Sequence, residues 1–204
     1  MSQKNQELEI KLYLSDLNAF QGKVEALGGD LTEPRVHEVN LRFDLPDGEL
    51  TRTAQVLRLR QDAAARMTYK GPGETIDGVH ARREIEFTVS DFQSAQSLLE
   101  TLGYQISLMY EKFRTTYILD GLQITLDEMP YGNFTEIEGA DTGAIHHAAE
   151  KLSLRWETRI LDSYTSLFDH LRNEMGLTFR DLSFANFAEL KISSEDLGVV
   201  PADR

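Results

Sequence analysis

The chain of 204 residues carries 34 Asp plus Glu against 21 Lys plus Arg, a formal net charge of −13, and no cysteine. Its size and 41% hydrophobic content allow one well-formed core, while the missing cysteine excludes a disulfide framework, thiolate-bound zinc, iron–sulfur clusters and thiol nucleophiles. The acidic balance argues against a nucleic-acid partner, an anionic membrane surface and, taken alone, a polyphosphate ligand. A polar N-terminus and the lack of any apolar run near the ~18 residues of a membrane span point to a soluble, cytoplasmic protein with no membrane partner.

Residues 7–14 alternate, with Glu7, Glu9, Lys11 and Tyr13 on one face and Leu8, Ile10, Leu12 and Leu14 on the other, which is strand periodicity. Leu17, Phe20, Val24 and Leu27 then fall at helical spacing, and Gly28-Gly29 ends that helix. Strands are expected at 36–45 and 55–61, split by a turn at Pro46-Asp47-Gly48, and at 66–70 running into a Gly71-Pro72-Gly73 turn. Alternation over 79–89 sets Arg82, Glu84 and Glu86 against Ile85, Phe87 and Val89. Ser90 with Gln93 makes a capping box for a helix whose stripe is Phe92, Ala95, Leu99 and Leu102. Strands near 109–119, 122–128 and 133–138 precede two helices, marked by Ile145, Ala148, Ala149 and Leu152, and by Tyr164, Leu167, Phe168, Leu171 and Met175. Beyond Gly176 no pattern is assignable.

Two segments match each other. Glu7-Leu8-Glu9-Ile10, Ser15-Asp16-Leu17, a helix and Leu27-Gly28 resemble Glu84-Ile85-Glu86-Phe87, Ser90-Asp91-Phe92, a helix and Leu102-Gly103. Such halves suggest one pseudo-symmetric sheet. Its strands share a property: one face is apolar and the other ionisable in mixed sign, at spacing two, as in Arg58 and Arg60, Lys112 and Arg114, and Glu136 and Glu138. An antiparallel sheet with one solvated face accounts for this alternation. So does an inside-out arrangement, in which helices cover the apolar face and the charged faces close into a barrel lumen. There a metal-bound polyanion would satisfy both signs, carboxylates taking the ion and Arg forks the phosphate oxygens.

The ordered blocks Glu7-x-Glu9-x-Lys11, Arg58-x-Arg60, Thr68-Tyr69-Lys70-Gly71-Pro72, Arg82-x-Glu84-x-Glu86, Lys112-x-Arg114, Asp127 and Gly132-x-Phe134-x-Glu136-x-Glu138 resemble the CYTH, or triphosphate tunnel metalloenzyme, superfamily. Lys70-Gly71-Pro72, the 131–136 stretch and Ser163-Tyr164 are most similar to its class IV adenylyl cyclase branch. The resemblance implies an α+β fold, an eight-stranded antiparallel barrel with a polar lumen and helices outside, over residues 1–175, with 176–204 an extension without an assigned role. It implies Mg²⁺ or Mn²⁺ as cofactor, held by Glu7, Glu9, Asp127, Glu136 and Glu138, and a triphosphate gripped by Lys11, Arg58, Arg60, Lys70, Arg82, Lys112 and Arg114. Lys11, Arg58 and Glu136 carry the catalytic role, and Glu84 and Glu86 rank lower. Asn40-Leu41-Arg42-Phe43-Asp44 departs from the family's Asp-x-Tyr-Phe-Asp and leaves that strand's share of the lumen open.

The expected activity is metal-dependent triphosphate hydrolysis, with ATP cyclisation second and a non-catalytic nucleotide or polyphosphate module third. The partner is a small-molecule triphosphate, and the cyclase branch admits a homodimer. The implied site holds seven bases and seven acids, so the whole charge of −13 falls outside it. Gly71-Pro72-Gly73 lacks the Gly-Lys-Ser/Thr of a P-loop, and the adjacent His146 and His147 point about 100° apart on a helix, unsuited to one shared metal.

Overall fold

The computed structural model describes residues 6–204, with side chains from Leu8 onward. Its strands are β1 (Gln6–Leu14), β2 (Asp30–Asp44), β3 (Val56–Gln61), β4 (Ala65–Ile76), β5 (Val79–Val89), β6 (Gln105–Leu119), β7 (Leu122–Met129) and β8 (Gly132–Gly139). They form one closed antiparallel barrel in the order β1-β5-β4-β3-β2-β6-β7-β8. Helices α1 (Leu17–Ala26), α2 (Glu49–Arg52), α3 (Phe92–Thr101), α4 (Thr142–Lys151), α5 (Tyr164–Met175) and α6 (Phe184–Phe187) lie around it.

The internal repeat is visible in the topology. Exchanging β1–β4 for β5–β8 returns the same ring, so the β1-α1-β2 and β5-α3-β6 crossovers are equivalent. Their caps match: Asp16 accepts from the Ala19 N–H and Asp91 from the Ser94 N–H. Asp91, rather than Ser90, is thus the cap, one residue later than the capping-box pattern placed it. Asp141 repeats the device on α4, accepting from Ala144.

Three elements depart from the sequence expectation. β2 starts at Asp30, its register to β6 breaking between Leu31 and Glu33 and between Glu33 and Val36, around Pro34, which has no N–H to give a ladder. Residues 71–73 form no turn: β4 runs on to Ile76 and a register shift between Lys70 and Gly73 absorbs the extra residues, a bulge being where a strand tolerates proline. A Cβ at Gly73 would lie 2.5 Å from the His80 ring. The chain turns at Asp77-Gly78, where both φ angles are positive, +49° and +79°. Helix α2 escaped the pattern because it is one turn long, held by the Asp44 carboxylate, which accepts from the Leu45, Leu50 and Thr51 N–H groups.

The apolar faces point outward, under the helices. Leu12, Ile124 and Ile137 pack beneath Phe20 and Val24 of α1 and Ile145 and Leu152 of α4. Leu41, Phe43 and Leu59 meet Ala95 and Leu99 of α3. A third cluster closes one barrel end, joining Tyr110, Tyr131 and Phe134 to Tyr164 and Phe168 of α5 and to Leu182, Phe187 and Leu197 beyond it. Each fully buried large side chain contributes about 1.5–3 kcal/mol relative to exposure, which is what sets the ionisable faces inward. Among the described residues no helix is long and apolar enough to cross a membrane.

Candidate functional site

Strand alternation sends Glu9 and Lys11 on β1, Arg58 and Arg60 on β3, Lys70 on β4, Arg82, Glu84 and Glu86 on β5, Lys112 and Arg114 on β6, and Glu136 and Glu138 on β8 into one lumen of about 400 Å³, within the size range of ligand pockets. All seven bases expected from the sequence are brought together there. Glu7 lies opposite Arg82 on the β1–β5 ladder, and its side chain is outside the described residues. Asp127 does not line the cavity.

Asp127 is fully buried beneath the lumen wall. Arg114 takes it with a two-pronged contact of 2.6 and 2.5 Å, Lys112 lies at 3.1 Å and the Tyr164 hydroxyl donates at 2.8 Å. Its oxygens are committed to holding bases in place. Arg114 also reaches Glu136 at 2.6 Å, and Glu136 meets Lys11 at 3.4 Å. Burial would push the Glu136 carboxyl up, but Lys11, Arg114, Lys112 and Lys70 overcome it and hold the group far below the usual carboxylate range. Burial likewise opposes the charge on Arg58, which its neighbours Tyr110, Glu38 and Glu86 restore and push up.

Sequence reasoning missed several lumen residues. Glu38 and Arg42 on β2 line it, although Glu38, Asn40 and Arg42 show the same spacing of two as the blocks that were recognised. This settles the contribution of the second strand. Glu38 is 2% exposed, between Arg60 at 3.5 Å and Lys112 at 3.6 Å. Burial raises its carboxyl, yet Lys112, Arg114, Arg60 and Arg58 bring it down to about 2. Arg42 donates to Thr165 on α5. The Arg58 guanidinium donates at 3.2 Å to both Tyr110 and Thr68, and Thr68 donates onward to Glu86 at 2.8 Å. Tyr164, part of the apolar stripe of the last helix in the sequence, and Tyr110, which the sequence did not single out, both line the lumen, with Lys11 4.5 Å above the Tyr164 ring. With Arg42 and Arg66 added, nine bases face seven acids across the described lining. Asp62 and Asp127, buried behind that lining and bonded to Arg60, Arg66, Arg114 and Lys112, bring the acids to nine, so the site is near neutral in a chain of −13.

A second cavity of about 410 Å³ adjoins the lumen through Glu9, Lys11, Arg42 and Arg82 and is bounded by Val56, Gly71, Gly73, Ile160, Leu161 and the first turn of α5. His146 and His147 lie apart from both, each ring facing Glu150.

The donor chemistry suits a hard divalent ion in part. Glu9 stands directly opposite Glu138 on the β1–β8 ladder, both facing the lumen; Arg82 lies 3.5 Å from Glu9 and Gln123 donates to Glu138 at 3.3 Å, and a divalent ion between the two carboxylates would offset their mutual repulsion. Oxygen donors of this kind fit Mg²⁺ or Mn²⁺, and Glu136 is the next carboxylate along β8. Among the described residues no group of three or more carboxylates or histidines is gathered for an ion, so substrate oxygens and water would complete the shell. Asp127 lies apart from this pair, bonded to Arg114, Lys112 and Tyr164.

Residues 5–164 match the CYTH domain model. The chain belongs to the CYTH family. A CYTH relative, adenylate cyclase CyaB of Aeromonas hydrophila, is 30% identical over 135 residues, 64% of this chain and 67% of that one. Among solved structures, a putative adenylate cyclase from Vibrio parahaemolyticus shares the fold with a TM-score of 0.71 and 24% identity, covering 81% of this chain and 98% of its own. A protein from Pyrococcus horikoshii does so at 0.61 and 28%, over 79% and 97%. A putative adenylyl cyclase from Hippeastrum, described as having a dominant triphosphatase activity, does so at 0.62 and 22%, over 85% and 97%.

Proposed function

We propose that this CYTH protein processes a linear triphosphate in its lumen with a divalent ion, and that hydrolysis is the principal outcome. The observation that carries this reading is the convergence of nine bases on one lumen in a chain of −13. Confinement raises the local potential seen by a polyanion, while the acidic exterior turns longer polyanions away.

Lys11, Arg58, Arg60, Lys70, Arg82, Lys112 and Arg114 would hold phosphate oxygens, the Arg forks giving paired bonds that fix orientation. Asp127, Thr68 and Tyr110 keep those bases aimed. Glu9 and Glu138, with Glu136, would hold Mg²⁺ or Mn²⁺, which when bound neutralises phosphate charge and makes a bound water more acidic. Glu136, kept ionised by its basic neighbours, serves as an acceptor at neutral pH. Attack of water on the terminal phosphorus, with cleavage of its bridging P–O bond, yields orthophosphate and releases the diphosphate, and the triphosphatase activity described for the Hippeastrum protein supports such chemistry on this fold.

A second reading, cyclisation of ATP to cyclic AMP and pyrophosphate, is favoured by the CyaB relative and by the adjoining cavity, where Val56, Ile160 and Leu161 offer apolar contact. Incubating the purified protein with tripolyphosphate, ATP and thiamine triphosphate, each with Mg²⁺ or Mn²⁺, separates the readings. Orthophosphate as the main product upholds hydrolysis, and cyclic AMP with pyrophosphate replaces it by cyclisation. Saturable binding without product leaves a binding module instead.

A further inference from the structure

The segment 177–204 lies wholly outside the family match, yet it is fastened to the barrel at two points where the ladder is incomplete. β6 pairs with β7 only from Phe113 onward. Just before that, Leu182 completes the open edge, its N–H bonding the Met109 carbonyl at 2.9 Å and its carbonyl accepting from Glu111 at 3.0 Å. The Asp181 carboxylate takes the Met109 N–H and the Glu111 carboxylate takes the Phe184 N–H, each at 3.0 Å. The β1 pairing with β5 ends at Glu9. On the stretch that follows, the Ala202 N–H bonds the Tyr13 carbonyl at 2.9 Å. Asp203 then accepts from the Ser15 and Asp16 N–H groups and from the Ser15 hydroxyl, all within 3.0 Å. Phe179, just before the first fastening, and Phe187, between the two, press on Phe168 of α5 with ring centroids 6.0 and 5.9 Å apart.

We infer that residues 177–204 form a strap that clamps α5 against the barrel and so positions two lumen tyrosines, Tyr164 on α5 and Tyr110 beside Leu182. Tyr164 donates to Asp127, and Tyr110 accepts from Arg58, so a slack strap loosens the bases those groups aim. Among the described residues, none of 177–204 lines the lumen, so the strap residues act as positioning residues. The ligand arm of this inference rests on the lumen's being a triphosphate site.

The test is the full chain carrying Asp203→Ala, with Asp203→Asn as the conservative partner that keeps one acceptor oxygen. Trp156, the sole tryptophan, adjoins Arg155, whose N–H bonds the Ala202 carbonyl at 3.0 Å, and its emission reports release of the distal fastening. Hydrogen exchange is expected to quicken about tenfold in the first two turns of α5, with strand amides unchanged. The tripolyphosphate dissociation constant is expected to rise about tenfold, roughly 1.4 kcal/mol, and Asp203→Asn restores part of both. Ser15→Ala, which removes a single hydroxyl donor, gives the same changes on a smaller scale should Asp203→Ala fold poorly. A shifted Trp156 emission with unchanged α5 exchange overturns the strap. Quickened α5 exchange with unchanged tripolyphosphate affinity overturns the positioning role. If the unaltered protein binds no tripolyphosphate, the lumen reading fails while the exchange arm still judges the strap.

Discussion

The two halves of the ring, related by the internal repeat, hold their charges differently. In β6, β7, β8 and β1 the ions form a tight block: Arg114 to Asp127 and Glu136 at 2.5 and 2.6 Å, with the Asp127 side chain inaccessible. Around Glu86 in the other half the pairs are longer and more open, Arg58 at 3.5 Å, Arg60 at 3.3 Å and Arg66 at 3.9 Å, with Glu86 31% exposed, although Arg66 also holds the buried Asp62 and Glu38 is buried beside Arg60. A buried pair loses more when one member goes than an exposed pair gains by forming. On the proposed triphosphate reading, the Asp127 block would be a fixed support for the ligand, and the bases around Glu86 would exchange it for phosphate oxygens at little cost.

The largest effect expected is on turnover. Lys11→Ala from the tight half and Arg58→Ala from the open half should each lower kcat/KM for tripolyphosphate by about 100-fold or more, with unaltered far-ultraviolet circular dichroism; retained turnover in either would break the proposed division of labour. Next, Arg114→Ala should cost about 3–5 kcal/mol of stability by urea denaturation, since it strands Asp127 and Glu136. Glu86→Gln should stay within about 1 kcal/mol, and equal losses for the two would erase the contrast. A smaller effect concerns pH. The Glu38 carboxyl, held at about 2 against an ordinary 4.5, contributes stability above pH 4.5 that is lost as pH falls from there toward 2. On the order of 2–3 kcal/mol should disappear over that window, and denaturation at stepped pH should show a flatter curve in Glu38→Gln. Smallest, Asp16→Ala and Asp91→Ala should each cost about 1 kcal/mol, a near-equality that thermal melts can check as a mark of the repeat.

Much of the barrel was legible because a strand's period of two is printed directly in the residues. Glu9-x-Lys11 and Arg58-x-Arg60 state which side faces inward once the apolar partners are seen. Glu38 and Arg42 were equally legible by spacing and were passed over because the family pattern differs there. The rest depended on long-range geometry. Asp127 carries the same charge whether it meets a metal or Arg114, and only the fold shows Arg114, Lys112 and Tyr164 converging on it. Tyr110 and Tyr164 have the composition of core residues and serve partly as such. The segment after Gly176 has no period because it is neither a repeating helix nor a strand, and its contacts are to residues as far back as Tyr13 and Ser15.

That last contact bears on how the chain is made. Asp203 meets Ser15 across 188 positions, and β1 closes the ring against β8 only after β5 to β8 have been synthesised. During vectorial synthesis the early strands wait with one edge unpaired, the state most open to wrong pairing. Ring closure, rich in such distant contacts, is expected to be slow, and residues 202–203, which emerge after all eight strands, would act as a seal on a nearly finished barrel.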